Sequence, residues 1–133
     1  ITQVLQALKK GPYYLNGTTH TTPKPCIYII AKESSDEPQT GTPVTYGHID
    51  DGRWENFTVV VNGTGDTFPS ELGPLSGMKV VARGKNCLTL HKEGETQLWV
   101  TQARVGLPTC CKKFFDEKRG SEEFLTTYSR EFC

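Results

Sequence analysis

The sequence predicts a mainly β fold, an antiparallel up-and-down barrel of about seven or eight strands with a short N-terminal helix and a C-terminal helix. Three observations support this prediction: β-branched and aromatic runs recur along the chain, turn residues separate them, and the two flanking segments have helical spacing. Short strands of this kind form either a sandwich or a closed barrel, and a succession of hairpins favours the up-and-down barrel. An eight-stranded barrel has just enough interior for one small ligand. At 133 residues the chain is expected to form one domain, residues 1–133.

The predicted strands are short and lie between turn signals. Phe57–Val61 is the strongest of them, because it is a continuous aromatic and β-branched run. Asp50-Asp51-Gly52 before it is a hairpin signal, since Asp-Gly accepts the positive φ angles of such turns. The remaining predicted strands are Tyr13–Leu15, Cys26–Ala31, Pro43–Ile49, Met78–Ala82, Cys87–Leu90 and Thr96–Thr101.

Two segments have the spacing of helices rather than strands. Ile1–Lys10 has its apolar residues on one helical face, and Gly11-Pro12 ends the helix. Cys111–Lys118 combines adjacent aromatic residues with charges on the opposite face, and it is predicted to end near Gly120. Residues 121–133 are predicted to form a partly helical tail that its last cysteine holds in place.

The charge balance and hydropathy pattern argue against two classes of partner. The 15 basic and 15 acidic residues cancel, whereas nucleic-acid-binding proteins usually carry a basic excess. No run approaches the roughly 18 apolar residues that a membrane span requires. We therefore expect no nucleic-acid partner and no membrane insertion.

Cysteine content and glycosylation sequons point to an extracellular protein. The five cysteines occur without C-x-x-C spacing or a neighbouring Cys/His pattern, which favours disulfides over zinc. Three Asn-x-Thr sequons begin at Asn16, Asn56 and Asn62 and predict a secreted glycoprotein. Because five is an odd number, one cysteine is free, bonds another chain, or has its partner outside this sequence.

No catalytic arrangement is recognisable in the sequence. His20, His48 and His91 lack H-E-x-x-H or similar spacing, and neither a G-x-S-x-G elbow nor a glycine-rich phosphate loop occurs. Asp50 and Asp51 belong to the hairpin signal and are interpreted as a solvated turn rather than as a catalytic carboxylate pair. We therefore predict a protein that is not an enzyme, with no catalytic residues, no cofactor and no metal.

An ordered set of cysteines and aromatic residues carries a resemblance to a known family. The set consists of Tyr13-Tyr14, Cys26, Cys87, Gln97-Leu98-Trp99, the adjacent Cys110-Cys111, and Cys133. With these residues in this order, the chain resembles the tick salivary lipocalins, specifically the short soft-tick (argasid) members. The resemblance covers essentially all 133 residues.

The resemblance implies an eight-stranded lipocalin-type barrel and a set of disulfides. It implies that Cys26 bonds Cys133, that Cys87 bonds Cys111, and that Cys110 bonds a cysteine upstream of the first residue. The function that it implies is that of a secreted salivary scavenger. Such a protein is a monomer that holds one host inflammatory mediator in its barrel, and so contributes to evasion of host defences.

One implied ligand class is the biogenic amines, serotonin and histamine. Amine binders of this family resemble a pattern of Cys-Asp followed by Glu-Leu-Trp or Glu-Leu-Tyr, and a buried ammonium group needs such carboxylates. Here the matching stretches are Cys87-Leu88 and Gln97-Leu98-Trp99, and both acidic positions are neutral. Amine binding therefore requires a carboxylate elsewhere, for which the sequence candidates are Glu33, Asp50 and Glu55.

The other ligand class, which is the main expectation from the sequence, is the eicosanoid mediators, leukotrienes or thromboxane. A fatty acid needs a long apolar cavity and a cation for its carboxylate. Lys24 stands where a lipid-binding relative has an arginine, two residues before Cys26. The other candidate ligand-binding residues are Tyr28, Tyr46, His48, Lys79, Arg83, Gln97 and Trp99, and Arg104 is a further candidate cation.

Binding of a host plasma protein is the remaining alternative. Some relatives block complement through surface loops and use the barrel as a scaffold. No loop of this sequence has a recognisable signature for that function, and a fold does not by itself determine a function.

Overall fold

The computed structural model describes residues 8, 11–31, 42–61, 67–101, 104–105, 109–129 and 133. The elements in these residues are β1 (Tyr13–Thr18), β2 (Tyr28–Ala31), β3 (Thr42–Asp50), β4 (Arg53–Val61), a 3-10 helix (Ser70–Leu75), β5 (Lys79–Arg83), β6 (Cys87–Lys92), β7 (Glu95–Thr101) and α1 (Cys111–Arg119). The predicted helix over residues 1–10 lies outside the described residues except for Leu8, which is helical and buried. No helix in the described part has the length and apolar character needed to cross a bilayer.

All seven strands form one antiparallel sheet in the order β4-β3-β2-β1-β7-β6-β5. The first strand therefore pairs with the last one, as in an up-and-down meander that curls back on itself. Among the described residues no ladder joins β4 to β5, and at that gap Thr67 forms an isolated bridge with Lys79 of β5. The mainly β antiparallel fold is confirmed, with seven described strands where the resemblance implies eight.

The β3–β4 hairpin is longer than the sequence predicts. β4 begins at Arg53 rather than at Phe57, because the turn brings Asp50 directly opposite Arg53. Asp51 and Gly52 have φ angles of 52° and 76°, the left-handed backbone that two-residue hairpin turns need. The turn lies where the sequence predicts it. The first half of β4 was not predicted because its residues are exposed and mostly polar, and the prediction relied on apolar runs.

The C-terminal segment is attached to the sheet by backbone hydrogen bonds and by a disulfide. Leu125 and Thr18 exchange two N–H···O bonds of 3.0 and 2.8 Å across an isolated bridge. Cys133 is bonded to Cys26, whose φ of 62° is not that of a strand, so that β2 begins at Tyr28 and not at Cys26 as predicted. Residues 121–129 contain no helix, so the predicted helical character of the tail is wrong over that range.

The second disulfide attaches α1 to the sheet by joining Cys111 to Cys87 of β6. The exposed Cys110 has no disulfide in the described structure, and its sulfur lies 3.8 Å from that of Cys87. These three sulfur atoms lie within 4.8 Å of one another, but two of them are bonded together and are not available as thiolate ligands for a metal. The structure thus contains both intramolecular disulfides that the resemblance implies, while the partner implied for Cys110 stays a prediction.

Apolar layers cover both faces of the sheet. The inner layer contains the fully buried Trp99 and Tyr13, and Leu72 of the 3-10 helix packs into it. The outer layer lies between the sheet and α1, which contributes Phe115. Because successive residues of a strand point to opposite faces, Trp99 belongs to the inner layer and Val100 to the outer one. Large side chains fill much of the inner layer, so the open volume lies at one end of the sheet.

The 3-10 helix over Ser70–Leu75 is an element that the sequence does not predict, because so short a helix has no periodic pattern. Leu72 and Leu75 anchor it in the inner layer. Its backbone is interrupted at Gly73, which has φ of 48°. The interruption places the Pro74 carbonyl beside β7, where it accepts a hydrogen bond.

Candidate ligand-binding site

A half-open cavity of about 400 Å³ lies at the end of the sheet where the β1–β2 loop, β3, the 3-10 helix and the β6–β7 turn meet. This volume falls in the lower part of the range of roughly 300–1,000 Å³ that is typical of small-molecule sites. The apolar part of its wall consists of Leu15, Pro23, Ile27, Tyr46 and Pro74. The charged and titratable part consists of His20, Lys24, His48, Lys92 and Glu95.

Alternate residues of β7 form a hydrogen-bonded row that leads from the core to the cavity. The Trp99 indole Nε1 donates to Gln97 Oε1 over 2.9 Å. Gln97 Nε2 then donates to the Pro74 carbonyl over 2.8 Å and to Glu95 Oε2 over 2.6 Å. Both amide protons of Gln97 are therefore engaged, and the amide fixes the Glu95 carboxylate at the cavity wall.

Within the described part of the chain, the Glu95 carboxylate has neutral hydrogen-bond donors and no salt-bridge partner. Besides Gln97, the Thr18 hydroxyl approaches it at 3.4 Å. No salt bridge among the described residues involves Glu95. The two lysines of the wall have other partners, since Lys92 Nζ donates to the Ser76 carbonyl over 2.9 Å and Lys24 Nζ lies 3.7 Å from Asp50. The site therefore presents one negative charge that its own lysines do not neutralise by direct contact.

An aromatic group forms the wall on the β3 side of the cavity. The Tyr46 ring stacks on Phe57 with a centroid distance of 5.4 Å and an interplanar angle of 28°, and His48 lies 6.1 Å from the same Phe57 ring. Tyr46 also lies close to Gly73 of the 3-10 helix, where an added Cβ would lie 2.8 Å from the ring. The contacts with Phe57 and Gly73 therefore limit the movement of the Tyr46 ring at the cavity wall.

The structure brings four of the eight residues proposed from the sequence to this cavity: Lys24, Tyr46, His48 and Gln97. Trp99 lies beneath them in the core and contacts Gln97. Tyr28 lies away from the cavity, in a surface groove with Trp54. The cations Lys79, Arg83 and Arg104 are exposed and are not part of the cavity wall.

Arg83 acts instead on a buried phenol of the inner layer. Burial raises the pKa of Tyr13 above its ordinary value, and the positive charge of Arg83 partly offsets that rise. The effect concerns the core beneath the cavity, because Tyr13 is completely buried. Arg83 thus contributes to the electrostatics of the core and not to the cavity wall.

The carboxylate on the cavity wall is Glu95, which the sequence analysis did not select. Of the three carboxylates it named, Glu33 lies outside the described residues, Asp50 pairs with Lys24, and Glu55 is exposed on β4 opposite His48. A signal for Glu95 was present, because residues two apart on a strand share a face. Selecting Gln97 and Trp99 as inward residues of β7 also selects Glu95.

The end of the sheet thus holds a cavity whose volume and mixed apolar and polar wall are those of small-molecule sites. No protein-family model matches the chain, and no curated protein sequence does. Among solved structures, the chain is similar to AM182, whose crystal structure is a complex with serotonin. The two chains are 28% identical, the match covers 90% of this chain and 83% of AM182, and the TM-score is 0.66.

Proposed function

We propose that this protein is a secreted scavenger that binds one small aromatic amine, such as serotonin, in the cavity bounded by Glu95 and Tyr46. The observation that carries the proposal is the Glu95 carboxylate, which lies on the cavity wall, is oriented by Gln97 and has no salt-bridge partner among the described residues. The similarity to AM182 in its serotonin complex supports the same ligand class.

The physical argument rests on the ammonium group of the ligand. Moving a cation out of water is costly unless an anion and hydrogen-bond acceptors replace the lost hydration. Glu95 supplies the anion, and charge-assisted hydrogen bonds of this kind are stronger than neutral ones. The aromatic part of the amine is then expected to lie against Tyr46, whose ring Phe57 and Gly73 hold in place.

The eicosanoid alternative has less support than the amine. A fatty-acid carboxylate needs a cationic clamp, and the two lysines of the wall are engaged only in part: Lys24 lies 3.7 Å from Asp50, and Lys92 keeps its charge while it donates to the neutral Ser76 carbonyl. Glu95 would also repel a second carboxylate in the same small volume. Below the cavity, Trp99 and its neighbours fill the inner layer, which leaves little room there for a long acyl chain.

The wider description of the protein is part of the same proposal. The two disulfides and the resemblance of the sequence to soft-tick salivary lipocalins support a secreted protein with a lipocalin-type fold. We propose stoichiometric binding rather than catalysis, so that affinity and abundance determine how far the free amine concentration falls. Capture of a host plasma protein stays a prediction of the sequence analysis.

Isothermal titration calorimetry of the purified protein tests the ligand class. Serotonin is expected to bind with a stoichiometry of about one per chain, because the proposed cavity has room for one ligand of this size. The matched control is 5-hydroxyindole-3-acetate, which keeps the ring and carries a carboxylate in place of the ammonium, and it is expected not to bind. Binding of a leukotriene together with no heat from serotonin or histamine would contradict the proposal.

A further inference from the structure

On the outer face of the sheet, away from the cavity, one transverse row of residues crosses four strands. In the register of the sheet, Tyr14 of β1 pairs with Tyr28 of β2, Tyr28 with Gly47 of β3, and Gly47 with Asn56 of β4. Directly paired residues point to the same face of a sheet. The side chains of Tyr28 and Asn56 therefore meet above Gly47.

Gly47 is the residue that makes this meeting possible. A Cβ at this position would lie 2.7 Å from Asn56 Oδ1 and 2.7 Å from the ring of Tyr28, so a larger residue would separate the two side chains. With glycine there, the Tyr28 hydroxyl donates a hydrogen bond to Asn56 Oδ1. That bond fixes the carbonyl oxygen of Asn56 toward Tyr28 and turns its Nδ2 the other way, while the residue remains exposed.

An aromatic groove of about 370 Å³ borders Asn56 on this face. Trp54, two residues before Asn56 on the same face of β4, is 45% exposed and meets the Tyr28 ring edge-on at 5.7 Å. The rest of the groove is formed by Pro12, Tyr14, Ile30 and Tyr128. Exposed apolar surfaces of this kind usually mark a place where another group binds, so we expect a further group to pack over this groove.

We propose that Asn56 carries an N-linked glycan and that its first N-acetylglucosamine packs over Trp54 and Tyr28. The donor would be a lipid-diphosphate-linked oligosaccharide of the secretory pathway. The Asn56 Nδ2 forms a bond to C1 of the sugar, the bond from C1 to the diphosphate oxygen breaks, and one amide proton leaves with the diphosphate. No oxidant or reductant is needed, and the proposal is independent of the amine site.

Three arguments favour a sugar attached at Asn56 as the group that covers the groove. Asn56-Phe57-Thr58 is a sequon, and both Asn56 and Thr58 are exposed. A sugar attached at Asn56 is tethered beside the groove, so it is present there at a high effective concentration. The C–H groups on the apolar face of a pyranose carry partial positive charge and are attracted to the negative face of an aromatic ring.

Glycan attachment is tested on the full chain secreted from a eukaryotic cell line, with glycopeptides analysed by mass spectrometry. Thr58→Ala removes the sequon, and it also removes the 2.9 Å contact between the Thr58 and Thr45 hydroxyls. Thr45→Ala is the matched control, because it removes the same contact and keeps the sequon. We expect a glycan on Asn56 in the wild type and in T45A, and none in T58A. An unmodified Asn56 in the first two proteins would overturn the proposal.

Packing of the sugar is tested by acrylamide quenching of tryptophan fluorescence. The chain has two tryptophans, and Trp99 is 0% exposed, so quenching reports on Trp54. Loss of the glycan is expected to raise the quenching constant roughly two-fold, because the sugar covers one of the two faces of the indole. Enzymatic deglycosylation of the folded wild type provides the same comparison if T58A is poorly secreted. An occupied Asn56 whose removal leaves quenching unchanged would refute the packing.

Discussion

The indole nitrogen of Trp99 donates to the side-chain oxygen of Gln97 over 2.9 Å, and this bond decides which way the Gln97 amide faces. With its oxygen turned toward the core, the amide points its nitrogen at Glu95 and at the Pro74 carbonyl. Gln97 occupies a position where the resemblance to amine binders implies an acid. In the proposed site Gln97 is a positioning residue, because its amide donates to Glu95, whose charge lies two residues earlier on the same strand face.

Removal of the Glu95 charge is the most direct mutational test of amine binding. Glu95→Gln keeps the size of the side chain and removes its negative charge. We expect serotonin affinity to fall roughly ten- to hundredfold, or about 1.5–3 kcal/mol, the range of hydrogen bonds to charged groups. Glu93→Gln, at an exposed residue of the neighbouring turn, serves as the control and should leave affinity unchanged. Equal losses in both variants, measured by calorimetry, would count against Glu95.

Gln97→Met separates positioning from stability. Methionine fills a similar volume but leaves the buried Trp99 N–H without its acceptor, so unfolding free energy should fall by about 1–3 kcal/mol. Serotonin affinity should also fall, because Glu95 loses its 2.6 Å donor. In an E95Q background the same change should cost similar stability in urea titrations but little further affinity. Additive affinity losses would show that Gln97 contacts the ligand itself.

Gly73 is predicted to be required for the shape of the cavity. Its φ of 48° disfavours any other residue, and an added Cβ would lie 2.8 Å from Tyr46. Gly73→Ala should cost about 1 kcal/mol or more in stability and weaken serotonin binding. Gly52→Ala is a matched control, since Gly52 has φ of 76° and no atom within 4 Å of an added Cβ. Weakened binding in G52A as well would argue that strain, rather than the Tyr46 contact, is responsible.

The two disulfides are expected to differ in their contributions to stability. In the loop-entropy model, the Cys26–Cys133 bond with its sequence separation of 107 contributes about 5 kcal/mol, and the Cys87–Cys111 bond with its separation of 24 about 3.5 kcal/mol. Replacing both cysteines of a pair by serine should therefore destabilise the protein more for the first pair. Chemical denaturation of the two double variants measures the difference, and the reverse order would show that native-state packing outweighs loop length.

Stability should fall in acid partly because of Asp116 on α1. The hydrogen bond from Lys112 holds the pKa of the Asp116 carboxyl below its ordinary value, burial opposes this, and Arg119 adds to the lowering. A lowered folded-state pKa contributes stability that is present above the unfolded-state value of about 4 and is lost as pH falls through the folded-state pKa. Asp116→Asn should be less stable than the wild type near neutral pH and indistinguishable from it in strong acid. Glu117→Gln, at an exposed neighbour, should show no such pH-dependent difference.

Local patterns in the sequence were enough to predict most of the secondary structure. Alternating and β-branched runs separated by Asp-Gly and similar turns predict strands because both signals act within a few residues. The helix over Cys111–Arg119 followed from its spacing in the same way. The positions of Lys24, Tyr46, His48 and Gln97 at one cavity were also within reach, since the resemblance and strand alternation point to them.

The chemistry of the site was decided only by tertiary structure. The Thr18 hydroxyl that approaches Glu95 is 77 residues away in the sequence. The Pro74 carbonyl that accepts a hydrogen bond from Gln97 is 23 residues away and belongs to a 3-10 helix that has no periodic sequence pattern. On the other face, Tyr28 reaches Asn56 only because β3 lies between their strands and has Gly47 at that register. Strand propensity and hydrophobic alternation depend on residues that are close in the sequence. The neighbours of a charged side chain depend instead on the register between strands that are far apart in the sequence. The sequence by itself therefore determined that these strands form and roughly where they lie, whereas the fold determined their exact starts and which carboxylate faces the cavity.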